Sequence, residues 1–277
     1  MKSKYLMCEG REIHFVEWGA AHAEAIIAWH GLARTARDMD DLAAHLSPRY
    51  RIMCPDTIGR GLSEWSPQPE REYCLEFYGR IALSLVEELG LQTFHWIGTS
   101  MGGALGLRLA ATALKGRIRR LVLNDIGPQL GDAAVERIRS YAGKPPRFQR
   151  LSELEQYFRT IYQPYGWLSD EQWRRLTETS ARRLPDGSIT THYDPKMVLQ
   201  FIPHPRDYDQ WDAYDAIAAP TLCLRGESSD LLLPEVAEQM RRRGPRAEIV
   251  TIAGCGHAPA LNVPDQLSLV ERFLAAR

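Results

Sequence analysis

Five residues, Gly98-Thr99-Ser100-Met101-Gly102, restrict this chain more than any other stretch. The apolar, aromatic run Thr93-Phe94-His95-Trp96-Ile97 precedes them, and the small-residue segment Gly103-Ala104-Leu105-Gly106-Leu107-Arg108-Leu109-Ala110 follows. Strand, tight turn and helix in that order make a G-x-S-x-G reversal with the serine at its tip. Glycines at 98 and 102 let strand and helix approach closely, and the turn holds Ser100 in a strained backbone conformation. Its Oγ is thereby presented outward, above the end of a sheet.

The rest of the chain supplies that sheet. Residues 4–9 and 11–18 alternate around Glu9-Gly10 and predict an antiparallel hairpin. The continuously apolar run Ala25-Ile26-Ile27-Ala28-Trp29 reads as a strand covered on both faces, and Arg51-Ile52-Met53-Cys54, 93–97, Ile118 to Asn124, Thr221-Leu222-Cys223-Leu224 and Glu248 to Ile252 read as further strands. Helical patterns lie between them: one capped by Thr35, one from about Glu72 to Leu89, one to about Leu114, one over Trp211 to Ile217, and two after Pro234 and Pro264. This alternation predicts an α/β fold with a mainly parallel, doubly wound sheet. Ligands bind such sheets at the carboxyl ends of the strands, where His30, Ser100 and Asp125 fall. The rhythm breaks from Gly127 to Gln210, too long for a loop and rich in aromatic residues including Phe148, Tyr157, Tyr162, Tyr165 and Trp167. The expected organisation is therefore a core of residues 1–126 and 211–277, with 127–210 inserted as a helical cap.

A length of 277 residues permits one large domain carrying such an insertion. The formal charge of −1 argues against a polyanion-binding surface, so nucleic acid is not an expected partner. Arg241-Arg242-Arg243 reads as a solvated helix end before Gly244-Pro245. Cys8, Cys54, Cys74, Cys223 and Cys255 form no C-x-x-C pair and are odd in number, which suits a reducing compartment. With no secretory pattern and no membrane-length apolar stretch, the expectation is a cytoplasmic protein with no membrane partner.

A serine hydroxyl needs a base within hydrogen-bond reach and a third group to orient that base. His257, in Gly254-Cys255-Gly256-His257-Ala258-Pro259 after a strand, is the candidate base. Asp230, in the loop after strand 221–224, is the preferred acid; Asp125, at the end of the preceding strand, is its rival, and Glu227 a third possibility. The backbone N–H groups of Leu32 and Met101 are candidate oxyanion donors. Arg34, beside the Leu32 loop, and His204 are candidate polar contacts to substrate, with His30 and Trp167 as further candidates; His30 also reads as an anchor of its loop.

These residues resemble the α/β-hydrolase superfamily. The resemblance rests on His30-Gly31, Asp56-x-x-Gly59-x-Gly61-x-Ser63, the Gly98–Gly102 turn, Gly226-Glu227 with Asp230-x-x-x-Pro234, and Gly256-His257, and covers nearly all of the chain outside the insertion. It implies a cap over the active site, a structural role for the Asp56–Ser63 loop, and hydrolysis without a cofactor or metal. Serine rather than aspartate at 100 is unlike the dehalogenase and epoxide-hydrolase branches. The chain is similar to small capped bacterial esterases and lactonases. The expected reaction is hydrolysis of a small to medium, substantially apolar carboxylic ester through an acyl-enzyme, the ester being the only expected small-molecule partner. Carbon-carbon bond hydrolysis of a ring-fission diketone is the alternative, as is a ligand receptor that keeps a slow hydrolase triad.

Overall fold

The computed structural model describes residues 1–276, apart from the side chain of Tyr141. Strands β1 (Lys2–Cys8) and β2 (Arg11–Trp18) form the amino-terminal hairpin. Its two turn residues, Glu9 and Gly10, both sit at positive φ, as a two-residue reversal matched to strand twist requires. Then come β3 (Ala25–Trp29), a 3-10 turn over Ala36–Met39 that Thr35 caps through its hydroxyl, α1 (Asp40–Leu46) and β4 (Arg51–Pro55). The helix expected from Glu72 is two elements, α2 (Pro69–Glu72) and α3 (Leu75–Glu88). The break falls at Tyr73, whose hydroxyl donates to Asp194 Oδ2 at 2.7 Å instead of following the helix face.

Next follow β5 (Phe94–Thr99), α4 (Met101–Ala111) and β6 (Ile118–Asn124). Beyond β6 the chain builds α5 (Asp132–Ala142), α6 (Leu151–Ile161), α7 (Asp170–Ser180) and the pair β7 (Ala181–Arg183) and β8 (Ile189–Thr191). That antiparallel pair is three residues per strand, too short for alternation to announce it. Leu154, Phe158, Trp173, Leu176 and Ile189 form a separate small core within this segment. The chain closes with α8 (Trp211–Asp215), β9 (Thr221–Gly226), α9 (Pro234–Met240), β10 (Glu248–Ile252) and α10 (Pro264–Ala275).

Among the described residues, eight strands form one sheet in the order β1-β2-β4-β3-β5-β6-β9-β10; the pairings of β2 are antiparallel and all the others parallel. Strand periodicity sorts the continuous apolar runs onto two faces. Ile27, Trp29, Trp96, Leu121, Leu123 and Cys223 pack with residues of α3, α4 and α9, whereas Ile26, Ala28, Ile97, Val122, Leu222 and Leu224 pack with residues of α1 and α10. A slip of one residue would exchange the faces, so the register is strongly set. That register brings the carboxyl ends of β3, β5, β6 and β9 side by side.

Candidate active site

The turn between β5 and α4 is as tight as its glycines allow. A Cβ on Gly98 would lie 2.3 Å from the Gly102 carbonyl carbon, and one on Gly102 would lie 2.4 Å from the Trp29 oxygen. Ser100 adopts φ 52°, ψ −119°, a left-handed conformation that costs a non-glycine residue roughly 1–3 kcal/mol. The surroundings over-determine it. Ser100 N–H donates to the Asn124 carbonyl at 3.0 Å, and the Ser100 carbonyl accepts from the N–H groups of Gly103 and Ala104, each at 2.9 Å.

His257 reaches this serine from the loop after β10, with Nε2 2.9 Å from Ser100 Oγ. Its Nδ1 lies 2.7 Å from Asp125 Oδ2. An ionised carboxylate only accepts, so Nδ1 carries the proton and Nε2 faces the hydroxyl with a lone pair. Asp125 is fully buried at the end of β6. Asp125 Oδ1 accepts from Gly226 N–H at 2.8 Å, and Oδ2 also accepts from Ser229 Oγ–H at 2.6 Å, which fixes the carboxylate against the histidine.

The expectation that Asp230 orients the histidine is corrected by this arrangement. The Asp230 side chain is 52% exposed and is paired with Arg137 at 2.7 Å. The physical reason lies in its own loop: Gly226 and Ser229 turn inward to donate to Asp125, and the next residue, Asp230, is directed outward. Glu227 is also elsewhere, accepting from Gly254 N–H at 3.1 Å. Sequence reasoning found Asp125 as the rival and missed Ser229. The available signal was that Asp125 follows β6 directly, with no intervening loop, on the strand beside β5. Asn124 was also missed; its Nδ2 donates to Thr99 Oγ1 at 3.0 Å and to the Pro259 carbonyl at 2.8 Å, tying the histidine loop to the ends of β5 and β6.

Met101 is the first residue of α4, where the helix itself supplies no acceptor for the N–H. Leu32 lines the same cavity as Ser100 and His257. Arg60 Nε donates to the Leu32 carbonyl at 2.9 Å, fixing that loop from behind. His30 is held within its own loop. It is fully buried, Nδ1 donates to the Gly31 carbonyl at 2.6 Å, and Nε2 accepts from Thr57 N–H at 2.9 Å. Burial pushes its pKa down to about 4, so the ring is neutral and both nitrogens are engaged. It belongs to the loop scaffold, which corrects its inclusion among substrate contacts.

Two adjoining hollows share part of their lining, and one of them holds the serine. One contains Leu32, Ser100 and His257, and segment 127–210 contributes Ile138, Ile161 and Tyr162 to it; the other extends to Gln172, Arg175 and Asn262. Gly31, Arg34, Thr99, Tyr165 and Ala258 border both. Arg34 is thus the predicted polar candidate that the structure brings to the site. Trp167 and His204 it does not. Trp167 is 69% exposed, and half-buried His204 lies against the Glu70 carbonyl at 3.3 Å. Aromatic and histidine content marks the insertion as rich in packing groups but not which of them turn inward.

Among the described residues, no cluster of three or more His, Cys, Asp or Glu side chains is arranged to hold a metal ion, and no helix is long and apolar enough to cross a membrane. All five cysteines are free and buried. A sequence model described as the alpha/beta hydrolase family matches residues 26–268. A 3-hydroxybutyrate-oligomer hydrolase of Cupriavidus necator is 38% identical over 267 residues, covering 93% of this chain and 90% of the relative. A pimeloyl-[acyl-carrier protein] methyl ester esterase of Xanthomonas oryzae is 27% identical, covering 92% of this chain and 96% of the relative. The crystal structure of an alpha/beta hydrolase from Novosphingobium aromaticivorans superposes with a TM-score of 0.88 at 33% identity, covering 99% of this chain and 97% of the other.

Proposed function

The chain belongs to the α/β hydrolase family, and from that premise we propose that it hydrolyses carboxylic esters, with short oligomers of a hydroxy acid as its substrate class. The observation that carries the reading is the unbroken series Ser100 Oγ, His257 Nε2, His257 Nδ1, Asp125 Oδ2, with steps of 2.9 and 2.7 Å across its two hydrogen bonds. His257 takes the serine proton as Oγ attacks the acyl carbon. Asp125 stabilises the imidazolium so formed and holds the ring's tautomer. The N–H groups of Leu32 and Met101 receive the developing oxyanion, in a place where losing one donor typically costs about 3–4 kcal/mol. His257 then protonates the leaving alcohol, and water, activated by the same nitrogen, clears the acyl-enzyme.

The substrate class rests on two supports. One is the likeness to the oligomer hydrolase over 93% of this chain. The other is the pair of adjoining hollows, one holding the serine and both bordered by Arg34 and Tyr165, which suits a substrate longer than a single ester. Residues 127–210 act in this reading as a lid, since Ile138, Ile161, Tyr162 and Tyr165 border the hollow that holds Ser100. The test is a panel of a 3-hydroxybutyrate trimer, a nitrophenyl butyrate, an aliphatic methyl ester and a ring-fission diketone. Preferred turnover of the trimer is expected, and diketone cleavage without ester cleavage would overturn the reading.

A further inference from the structure

Arg34 is 4% exposed, and most of its guanidinium is spoken for. Nε donates to Asp38 Oδ2 at 2.6 Å, and Nη2 donates to Asp38 Oδ1 at 2.8 Å and to Ser180 Oγ at 3.0 Å. The Tyr162 ring covers its centre at 4.6 Å. Nη1 alone is buried without an acceptor. An unfilled buried donor carries a desolvation cost and calls for a missing partner. Arg34 borders both hollows, and its own N–H donates to the Gly31 carbonyl in the loop that carries Leu32.

We propose that Arg34 Nη1 is the donor for an ester carbonyl one unit away from the bond being cut, so that the site reads an oligoester by its repeat. This rests on the ester-hydrolase reading above. The charge of Arg34 is already matched by the bidentate pair with Asp38, so what it offers is a directed hydrogen bond rather than an uncompensated positive charge. A neutral carbonyl satisfies that donor. A second carboxylate would add a negative charge beside Asp38, and the other cations bordering the hollows are each already paired: Arg37 with Asp40, Arg175 with Asp41 and Arg137 with Asp230. A single ester places a carbonyl in the oxyanion site and leaves Nη1 unfilled, whereas an oligomer fills both.

The experiment measures kcat/KM for a 3-hydroxybutyrate trimer, its methyl ester and nitrophenyl butyrate on wild type, Arg34→Met and Arg34→Lys. Lysine keeps a cation against Asp38 but not the planar fork that leaves a free N–H. The ratio of trimer to single-ester kcat/KM cancels any loss of folded protein. It should fall about tenfold or more in both variants, equally for the free-acid and methyl-capped trimers. An unchanged ratio overturns the assignment, and a loss confined to the free acid overturns it in favour of a carboxylate clamp. A wild type inactive on every ester overturns the functional reading itself, which an altered or unaltered ratio leaves standing.

Discussion

Among the described residues are two Ser–His–Asp series, and the one with the shorter hydrogen bonds is not the candidate active site. Ser3 Oγ lies 2.6 Å from His14 Nε2, and His14 Nδ1 lies 2.6 Å from Asp56 Oδ2. The corresponding steps from Ser100 are 2.9 and 2.7 Å. What separates them is the backbone around each. Ser3 sits in ordinary extended conformation on edge strand β1, opposite Val16. Ser100 sits at φ 52° ahead of a helix amino terminus. Around the first series the loop N–H groups are already used: those of Ala36 and Leu62 donate to Asp56, and that of Gly61 donates to His192 Nδ1 at 2.7 Å. Those three N–H groups are therefore not offered to an oxyanion. The Ser3 series ties the amino-terminal hairpin to the 56–63 loop, and hydrogen-bond order alone is no guide to chemistry.

The largest difference should come from the two serines themselves. Ser100→Ala is expected to lower kcat on a hydroxy-acid trimer by up to about a million-fold, whereas Ser3→Ala should stay within about twofold. Comparable losses would erase the distinction. The acids come next: Asp125→Asn should cost about ten-thousandfold in kcat by favouring the wrong tautomer, and Asp230→Asn should leave steady-state rates within about threefold. A reversed ranking would return the acid role to Asp230. A smaller effect, about tenfold in kcat with KM little changed, is expected for Ser229→Ala, which removes one of the three donors to Asp125. A drop as deep as that of Asp125→Asn would instead give Ser229 a role beyond orienting the carboxylate.

Each series also leans on a buried neutral imidazole, and these sharpen the comparison through stability. Burial holds His30 beside the Ser100 loop at a pKa of about 4; burial, helped by the charge of Arg34, holds His192 beside the Ser3 series at about 3. Unfolded, both bind protons near the ordinary value of about 6.5. Below that pH the unfolded state binds more protons than the folded one, so stability is complete above it and falls as the solution is acidified, by at most about 1.4 kcal/mol per pH unit for each ring. Urea midpoints should decline steadily from pH 7 to 4.5. His192→Asn should reduce that slope by about half, and a flat wild-type profile would contradict the buried neutral state.

How much of this was legible before the structure depends on whether the deciding contact is local. The Ser100 turn announces itself because strand, glycines and helix are consecutive. The sheet follows because apolar runs such as 25–29 and 121–123 have no polar alternation to hide a face. Asp125 and Asp230 could not be ranked in that way. Both follow parallel strands, and the choice turns on the Gly226–Ser229 turn donating inward, a tertiary event that no spacing encodes. Arg34 was recognisable by its place beside the Leu32 loop, but its unfilled Nη1 depends on Asp38 and on Ser180, which lies 146 residues away along the chain. Trp167 and His204 were misplaced because residue type says nothing of which side of a helical insertion faces inward.

Mass spectrometry of peptides after labelling with a fluorophosphonate decides whether the strained turn makes Ser100, rather than Ser3, the nucleophile. A single adduct is expected on the peptide containing Ser100, absent in Ser100→Ala, with Ser3 unmodified in both proteins. An adduct on Ser3, or equal labelling of wild type and Ser100→Ala, would contradict it.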